Sequence, residues 1–522
     1  MTTIAMIGAG SLVFCKTLAS DILATPALQG AQIRLMNRTK PKLEQMQRFV
    51  QRLITENNLP ATVLATTDRR EALKGADVVI CMVQVGGLTA FGHDYEIPLR
   101  YGIDQCIGDS LGPGGVFRGL RHIHFLKELA HDMQEVCPQA ILLNYANPMA
   151  GCMQALGRLG MEDRSIGLCH GVQTTLDLIS SYVNVPKEQI EYSCAGINHM
   201  AWFLSMSERG TGRDLYPLFK DNCEKPEYYL NEKVRIEVMR HFGYFMTEST
   251  GHLSEYVPWF RKNRKELDTY CDQPDFGGAS GAYYRYSKSI VEKYDGIDYL
   301  ASESSKITCR SIEFCSYIIE ALVTNQPFQL QGNVVNRGYI TNLPEKCCVE
   351  VPMTVDARGL HPVTVGALPP ACAALNMSNV QVQTLAVEAA LSGDPELVMQ
   401  AIAMDPLSGA VCTLDEIRRM TSEMLEAERA WLPQFSGRSL RPRPVISVSA
   451  QTRGVDVPLD PALATANRFS ELANSQIAQT AKNDQAGVQQ PKVDMYDIQN
   501  GLGYRFGELA NSHIAHALGT VG

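Results

Sequence analysis

The nine residues 3–11, TIAMIGAGS, decide the fold. They form an apolar strand followed at once by a glycine turn, and a helix is predicted to begin directly after it. A dinucleotide pyrophosphate meets helix N-terminal amides at such a junction. Gly8 and Gly10 suit the tight turn and close backbone approach, and Ser11 adds a hydroxyl donor. The stretch therefore predicts a dinucleotide site, although Val13 replaces the third glycine of the full motif.

Strand and helix patterns alternate after this turn. Apolar strands are predicted at 31–37, from residue 62, at 76–85 and at 140–145, and helical spacing marks 43–54 and 116–133. This alternation is typical of an α/β fold with a doubly wound parallel sheet. We therefore predict a Rossmann-like dinucleotide-binding domain over residues 1–190.

The alternation is lost after about residue 190. Aromatic and glycine-rich stretches such as 276–286 favour a second, α+β domain over residues 191–435, which would carry substrate and metal. Beyond it, Pro, Gln, Asn, Ser and Ala dominate the composition. We interpret residues 436–522 as a polar C-terminal appendage or linker.

Composition excludes several classes of protein. The 522 residues are 45% hydrophobic and 20% charged, which is typical of a globular protein. The net charge is −9 and Lys and Arg form no run, so neither nucleic acid nor an anionic membrane is expected as a partner. No signal peptide and no stretch of 18 apolar residues is found, so a cytoplasmic location is predicted. The 15 cysteines follow no disulfide framework and are expected to be free thiols.

The end of the second strand leaves the choice of dinucleotide open. Folds that bind NAD usually place Asp or Glu there to bind the adenosine ribose, whereas this chain has Asn37. An amide can still bond a hydroxyl, but it lacks the carboxylate charge. Because Arg38 follows directly, a 2′-phosphate is equally acceptable, and both NAD and NADP remain possible.

Four motifs bring polar side chains to predicted loops. Residues 108–115, GDSLGPGG, place Asp109 in a glycine-rich loop before a helix, and 144–148, NYANP, place Asn147 at the end of a buried strand. GLCHG at 167–171 and GINHM at 196–200 bring a thiol, Cys169, and an imidazole, His199, that could meet in space. Two such ligands alone make a weak metal site.

Together these motifs resemble glycoside hydrolase family 4, the NAD- and manganese-dependent glycosidases. The resemblance runs from the first strand to about Trp431 and includes DSLGPGG, LNYANPM, LCHGVQ, CAGINHMAW, GYFMTESTGHLSEYVPWF and NLPEKCCVEV. LCHGVQ is most similar to the melibiase branch, the α-galactosidases. The resemblance implies NAD and Mn²⁺ or another divalent metal as cofactors, an α-galactoside substrate and a homo-oligomer.

The resemblance also implies roles for residues around the metal. Cys169 and His199 match the metal ligands, and Asn147 matches a substrate-binding residue beside them. His252 is expected in the same pocket, as a substrate-binding residue and a second candidate base.

Three further residues are implied as catalytic. Tyr256 is the candidate base that removes the proton from carbon 2 of the sugar. His170 occupies the position of the general acid, and Asp109 matches a carboxylate that serves proton transfer or orients the metal site. The implied reaction oxidises carbon 3 of the sugar, which acidifies carbon 2, eliminates the aglycone, adds water and returns the hydride.

Other functions remain as alternatives. An α-galacturonidase or α-glucuronidase of the same family is the nearest of them, because LCHGVQ is also similar to the Cys-His-Glu form associated with uronic-acid substrates. No Arg can be assigned to a substrate carboxylate from the sequence. A 2-hydroxy acid dehydrogenase would share the lactate or malate dehydrogenase-like architecture, but its substrate-binding Arg and His-Asp pair are not recognisable here. A non-catalytic dinucleotide sensor would leave Cys169 and His199 without a purpose.

Overall fold

One mixed β-sheet runs through the computed structural model, which describes residues 1–455 apart from 12, 295–296 and 308. Its strands are β1 (Thr3–Ile7), β2 (Gln32–Met36), β3 (Thr62–Thr66), β4 (Val78–Cys81), β5 (Ile141–Asn144), β6 (Ser165–Gly167), β7 (Ile190–Ile197), β8 (Met200–Glu208), β9 (Phe245–Met246), β10 (Phe328–Val335), β11 (Cys348–Asp356) and β12 (Gly359–Pro362).

The first six strands are parallel and lie in the order β3-β2-β1-β4-β5-β6. This is the strand order of a Rossmann sheet, and it confirms the predicted doubly wound fold. All residues of β1 and β4 are buried, as expected for central strands that helices cover on both faces. The predicted strand at 76–85 is shorter in the structure, because only its central four residues pair with β1 and β5.

Helices connect and cover the strands. They are α1 (Phe14–Ala24), α2 (Lys40–Glu56), α3 (Arg69–Leu73), α4 (Gly87–Arg100), α5 (Gly112–Val136), α6 (Met149–Arg158), α7 (Gly171–Val183), α8 (Tyr216–Cys223), α9 (Pro226–Tyr229), α10 (Lys233–Phe242), α11 (Thr250–Tyr256), α12 (Arg264–Tyr270), α13 (Ala282–Tyr294), α14 (Tyr299–Ser302), α15 (Cys315–Thr324), α16 (Pro370–Ser392), α17 (Pro395–Met404), α18 (Pro406–Val411) and α19 (Leu414–Glu428).

The later strands extend the same sheet. β10 pairs antiparallel with β6 through Asn333 and Gly167, β11 pairs with β10, and β7, β8 and β9 follow as antiparallel neighbours. The predicted α+β character of the second half therefore takes the form of strands added to the Rossmann sheet. The domain boundary predicted near residue 190 falls where β7 begins and stays a prediction.

The long helix α5 packs closely on the loop that precedes it. A Cβ atom on Gly114 would lie 2.8 Å from the Gly108 carbonyl oxygen, and one on Gly115 would lie 2.4 Å from the Ser110 carbonyl carbon. Only glycine permits this approach, so the GPGG motif fixes the loop that carries Asp109 against the start of α5.

The chain divides into two units, Met1–Pro442 and Arg443–Gly522. Of the second unit, residues 443–455 are described and contain no helix or strand, and the rest of the predicted appendage, 456–522, lies outside the described residues. Among the described helices, none is both long and apolar enough to cross a bilayer. Cys15, Cys81 and Cys106 are buried free thiols, as predicted.

Candidate active site

The glycine turn after β1 lies at the carboxyl edge of the sheet, between β2 and β4. The Gly8 and Ala9 amides donate to the Met36 carbonyl at 3.0 and 2.9 Å, and the Ser11 amide donates to Gly8 at 3.1 Å. Gly8 has φ +96°, and a Cβ there would lie 2.9 Å from the Met82 carbonyl oxygen. A side chain at this position would therefore be strained and would also clash with the loop after β4.

Asn37 lies beside this turn, as its position at the end of β2 predicts. A Cβ on Gly10 would lie 2.5 Å from Asn37 Nδ2, and that nitrogen donates to the Thr39 carbonyl at 3.0 Å. Gly10 thus makes room for the Asn37 side chain. The structure brings all four predicted dinucleotide residues, Gly8, Gly10, Ser11 and Asn37, to one edge of the sheet, where Rossmann folds bind their cofactor.

Asp109 and Asn147 contact each other at the same edge. Asn147 Nδ2 donates to Asp109 Oδ2 at 2.9 Å, and Ser110 Oγ donates to Asp109 Oδ1 at 2.8 Å. Ser110 Oγ also lies 3.3 Å from His199 Nδ1. Burial would raise the pKa of Asp109, but the positive charge of Arg118 and the nearby His199 outweigh burial and lower that pKa. Asp109 is therefore an ionised, buried hydrogen-bond acceptor.

Cys169, His199 and Glu248 form a cluster in which one potential ligand atom of each residue lies within 4.8 Å of the other two. Cys169 Sγ donates to Glu248 Oε1 at 3.2 Å, and His199 Nε2 lies 3.9 Å from the same oxygen. His199 and Glu248 have φ values of +62° and +91°, which non-glycine residues seldom adopt. Such strain is typical of residues held in place for a function.

The cluster fits a divalent metal ion. A thiol, an imidazole and a carboxylate together suit a transition metal, because Ca²⁺ and Mg²⁺ prefer oxygen ligands. Burial would raise the pKa of Glu248, but His199, His252 and the Cys169 thiol lower it to about 2. A Cβ on Gly171 would lie only 1.7 Å from Glu248 Oε1, so glycine at this position leaves space for the carboxylate.

Tyr256 and His252 come from helix α11 and pack on this cluster. The Tyr256 hydroxyl lies 3.0 Å from His199 Nδ1, and the His252 and His199 rings meet edge to face with centroids 4.8 Å apart. Burial, followed by the charges of Glu255 and Asp109, raises the pKa of Tyr256 well above its ordinary value. Burial also lowers the pKa of His252 to about 4. Both side chains are therefore neutral at pH 7 in the protein without ligands.

His170 lies at the margin of the site. It precedes helix α7, its side chain is half exposed, and its Nδ1 faces Glu313 Oε1 at 3.4 Å. The hydrogen bond to Glu313 raises the pKa of His170. The structure thus pairs His170 with an acid, Glu313, at the margin of the site, while its chain neighbour Cys169 belongs to the cluster.

Two acidic residues of the site were not among the sequence-predicted ones. Glu248 is the third member of the cluster of Cys169, His199 and Glu248, here called the metal-type cluster. Glu255 accepts hydrogen bonds from the Cys106, Ile107 and Gly108 amides at 2.8–3.0 Å and thereby fixes the loop before Asp109. Burial raises the pKa of Glu255 to about 7. Both residues lie within GYFMTESTGHLSEYVPWF, one of the blocks that carry the family resemblance. The presence of acids in that block was the one sequence feature that pointed to them.

Two protein-family models match most of the unit Met1–Pro442. The Family 4 glycosyl hydrolase model matches residues 3–185, and the Family 4 glycosyl hydrolase C-terminal domain model matches residues 194–408. The two matches contain every predicted site residue.

Relatives and solved structures agree with these matches. An alpha-galactosidase from Rhizobium meliloti (strain 1021) is 41% identical over 83% of this chain and 89% of its own length. An alpha-galactosidase from Bacillus subtilis (strain 168) is 38% identical over 83% of this chain and 100% of its own. The 6-phospho-beta glucosidase from Thermotoga maritima, solved with manganese, NAD⁺ and glucose-6-phosphate, shares the fold, with a TM-score of 0.67, 21% identity and coverage of 82% of this chain and 99% of that one.

Proposed function

Because this chain belongs to glycoside hydrolase family 4, we propose that it is an α-galactosidase that uses NAD and a divalent metal ion, manganese, as cofactors. The observation that carries this proposal is the cluster of Cys169, His199 and Glu248, which lies beside Tyr256 and Asp109. A non-catalytic dinucleotide sensor would not need such a cluster. The two alpha-galactosidase relatives favour a galactoside over a uronide substrate.

The chain offers a separate place for each cofactor. The Gly8–Gly10–Ser11 turn and Asn37 would hold the dinucleotide, and Cys169, His199 and Glu248 would hold the cation. When both are bound, the nicotinamide supplies hydride exchange, and the cation supplies positive charge that stabilises developing oxyanions and lowers the pKa of nearby acids.

Three side chains would then divide the proton transfers between them. Tyr256 would take the carbon 2 proton; this role is supported by the contact of its hydroxyl with His199 Nδ1 and by the burial of its ring. Asp109 and Asn147 hold each other at 2.9 Å and orient sugar hydroxyls. His170, at the margin of the site, would protonate the leaving group, and its contact with Glu313, which raises its pKa, supports this role.

Activity is expected to require cofactor in catalytic amounts only. Extensively dialysed enzyme should not cleave nitrophenyl α-galactoside, and NAD with Mn²⁺ should restore cleavage without net formation of NADH. Nitrophenyl α-galacturonide and α-glucuronide serve as comparison substrates and should react much more slowly. NADH accumulating with each turnover would instead indicate a dehydrogenase, and full activity of cofactor-free enzyme would contradict the proposal.

The galactose formed in heavy water is expected to carry deuterium at carbon 2. A proton removed by Tyr256 exchanges with solvent before it is returned, whereas direct displacement at carbon 1 never breaks the bond between carbon 2 and its hydrogen. The label is measured by NMR or mass spectrometry of the product. Galactose incubated with enzyme in heavy water is the control for exchange after hydrolysis. Unlabelled product would argue for an ordinary two-carboxylate mechanism.

Two statements about the whole protein stay predictions from the sequence. We propose that the chain forms a homo-oligomer and that it acts in the cytoplasm. Light scattering of the purified protein and fractionation of its host measure these two properties directly.

A further inference from the structure

His122 of helix α5 joins two loops that leave the sheet at neighbouring strands. Its Nε2 accepts a hydrogen bond from the Val85 amide at 3.0 Å, in the loop after β4. Its Nδ1 donates to the carbonyl oxygen of Asn147, in the loop after β5. The ring is fully buried. Because a carbonyl oxygen can only accept, the proton must be on Nδ1 and the lone pair on Nε2.

This arrangement requires a neutral imidazole. Burial, followed by the charges of Arg118 and Arg121, lowers the pKa of His122 well below its ordinary value. Both arginines belong to the same face of α5, where Arg121 Nε donates to the Val85 carbonyl and Arg118 Nε donates to the Asn147 carbonyl, each at 3.3 Å. Arg118, one turn before Arg121 and His122, thus joins them in holding the backbone of both loops.

The loop after β4 touches the dinucleotide turn. The Met82 carbonyl oxygen and the Val83 amide nitrogen lie 2.9 and 3.0 Å from the Cβ position of Gly8. A shift of the turn on dinucleotide binding would therefore press on this loop, because there is no room even for a Cβ atom between them.

The loop after β5 leads to the metal-type cluster. Asn147 Nδ2 donates to Asp109, Ser110 Oγ bridges Asp109 and His199 Nδ1, and His199 is one of the cluster's three members. Between the Val85 amide and His199, every step of the path is a hydrogen bond between buried or partly buried groups. His122 is the step at which the two loops meet.

We propose that His122 is a positioning residue that couples dinucleotide binding at the Gly8 turn to metal binding at the Cys169–His199–Glu248 cluster, by holding the Val85 and Asn147 loops in one arrangement. This inference rests on the proposed function for the identity of the two ligands, NAD⁺ and Mn²⁺, and for nothing else. It predicts that each ligand tightens the binding of the other by the same factor, because coupling between two sites is reciprocal.

Two amide variants break the bridge at opposite ends. In His122→Asn, the amide reaches only the position of Nδ1 and keeps the bond to Asn147. In His122→Gln, the amide reaches the position of Nε2 and keeps the bond to Val85. His131→Gln is the matched control, since His131 lies on the same helix with a largely exposed side chain. The dissociation constant of NAD⁺ is measured by calorimetry with and without saturating Mn²⁺ for all four proteins.

Wild type and His131→Gln are expected to bind NAD⁺ at least about fivefold more tightly with Mn²⁺, within the usual range of coupling factors. In both His122 variants this factor should fall to within about twofold of one, while each ligand alone still binds. Equal coupling in wild type and either His122 variant, or no coupling in wild type, would overturn the inference.

Hydrogen exchange in the wild-type protein tests the same path without any variant. Added Mn²⁺ should slow amide exchange in residues 82–86, although the metal-type cluster contains none of them, and unchanged exchange there would contradict the coupling. Failure of the proposed function has a different signature. In that case wild type would not hydrolyse α-galactosides, whereas the coupling and its loss in the His122 variants would persist.

Discussion

Tyr256→Phe is expected to lower turnover of nitrophenyl α-galactoside by about 10²–10⁴, the range that a positioned general base contributes. The substitution removes one oxygen atom and preserves the ring, which is fully buried against the metal-type cluster. The lost hydroxyl contacts only one side of His199, at Nδ1, so Nε2 remains free to face Glu248. Binding of Mn²⁺ and NAD⁺ should therefore change little, and the loss should appear in kcat.

Tyr101→Phe is the matched control for this prediction. Tyr101 also loses one hydroxyl contact, to Glu423 Oε2 at 3.1 Å, but it contacts none of the predicted site residues through that hydroxyl. Its turnover should stay within about twofold of wild type. If Tyr256→Phe were as active as this control and the product still carried deuterium at carbon 2, the base would have to be another residue, and His252 is then the candidate.

The first half of the fold is predictable because its information is local. The strand and glycine turn at residues 3–11 are adjacent in the chain, and the buried face of α2 consists of the residues that its helical spacing indicates. Parallel strands bring their carboxyl ends to one edge, so Gly8, Asn37 and Asn147 could be placed there from strand order alone.

The second half is not predictable in the same way, because its contacts join distant positions. β10 pairs with β6 through residues 166 positions apart, and no spacing within either segment indicates this pairing. The sequence therefore did not indicate that its strands continue the first sheet.

Glu248 was missed for the same reason. It lies 79 positions after Cys169, and nothing in MTEST at 246–250 distinguishes a metal-facing carboxylate from the acid of an ordinary loop. The resemblance to family 4 indicated two ligands, Cys169 and His199, which lie 30 positions apart, and it indicated no acid as a third. The third member of the cluster became visible only when the fold brought Glu248, which precedes helix α11, to Cys169, which precedes helix α7.

Gly171 shows how closely this cluster constrains the sequence. Gly171→Ala is expected to weaken Mn²⁺ binding by about 10–100-fold, the loss typical of disturbing residues that support a metal ligand. The new Cβ would lie 1.7 Å from Glu248 Oε1, far inside the ordinary contact distance of 3.4–4 Å, so the carboxylate must move. Alanine is otherwise well tolerated at this helical position, because Gly171 does not have a positive φ.

Two measurements on three variants separate this effect from general destabilisation. Gly409→Ala is the matched control, since its Cβ would meet its nearest neighbour, the Ala403 carbonyl, at 3.6 Å within another helix. Calorimetric Mn²⁺ affinity should match wild type in Gly409→Ala and fall in Gly171→Ala, whereas thermal unfolding should show both proteins folded. Glu248→Gln keeps the shape of the side chain but removes its charge, and it should lower Mn²⁺ affinity at least as much. If Gly171→Ala and Glu248→Gln both bound Mn²⁺ as wild type does, Glu248 would not be a ligand, and Cys169 and His199 would have to hold the metal without it.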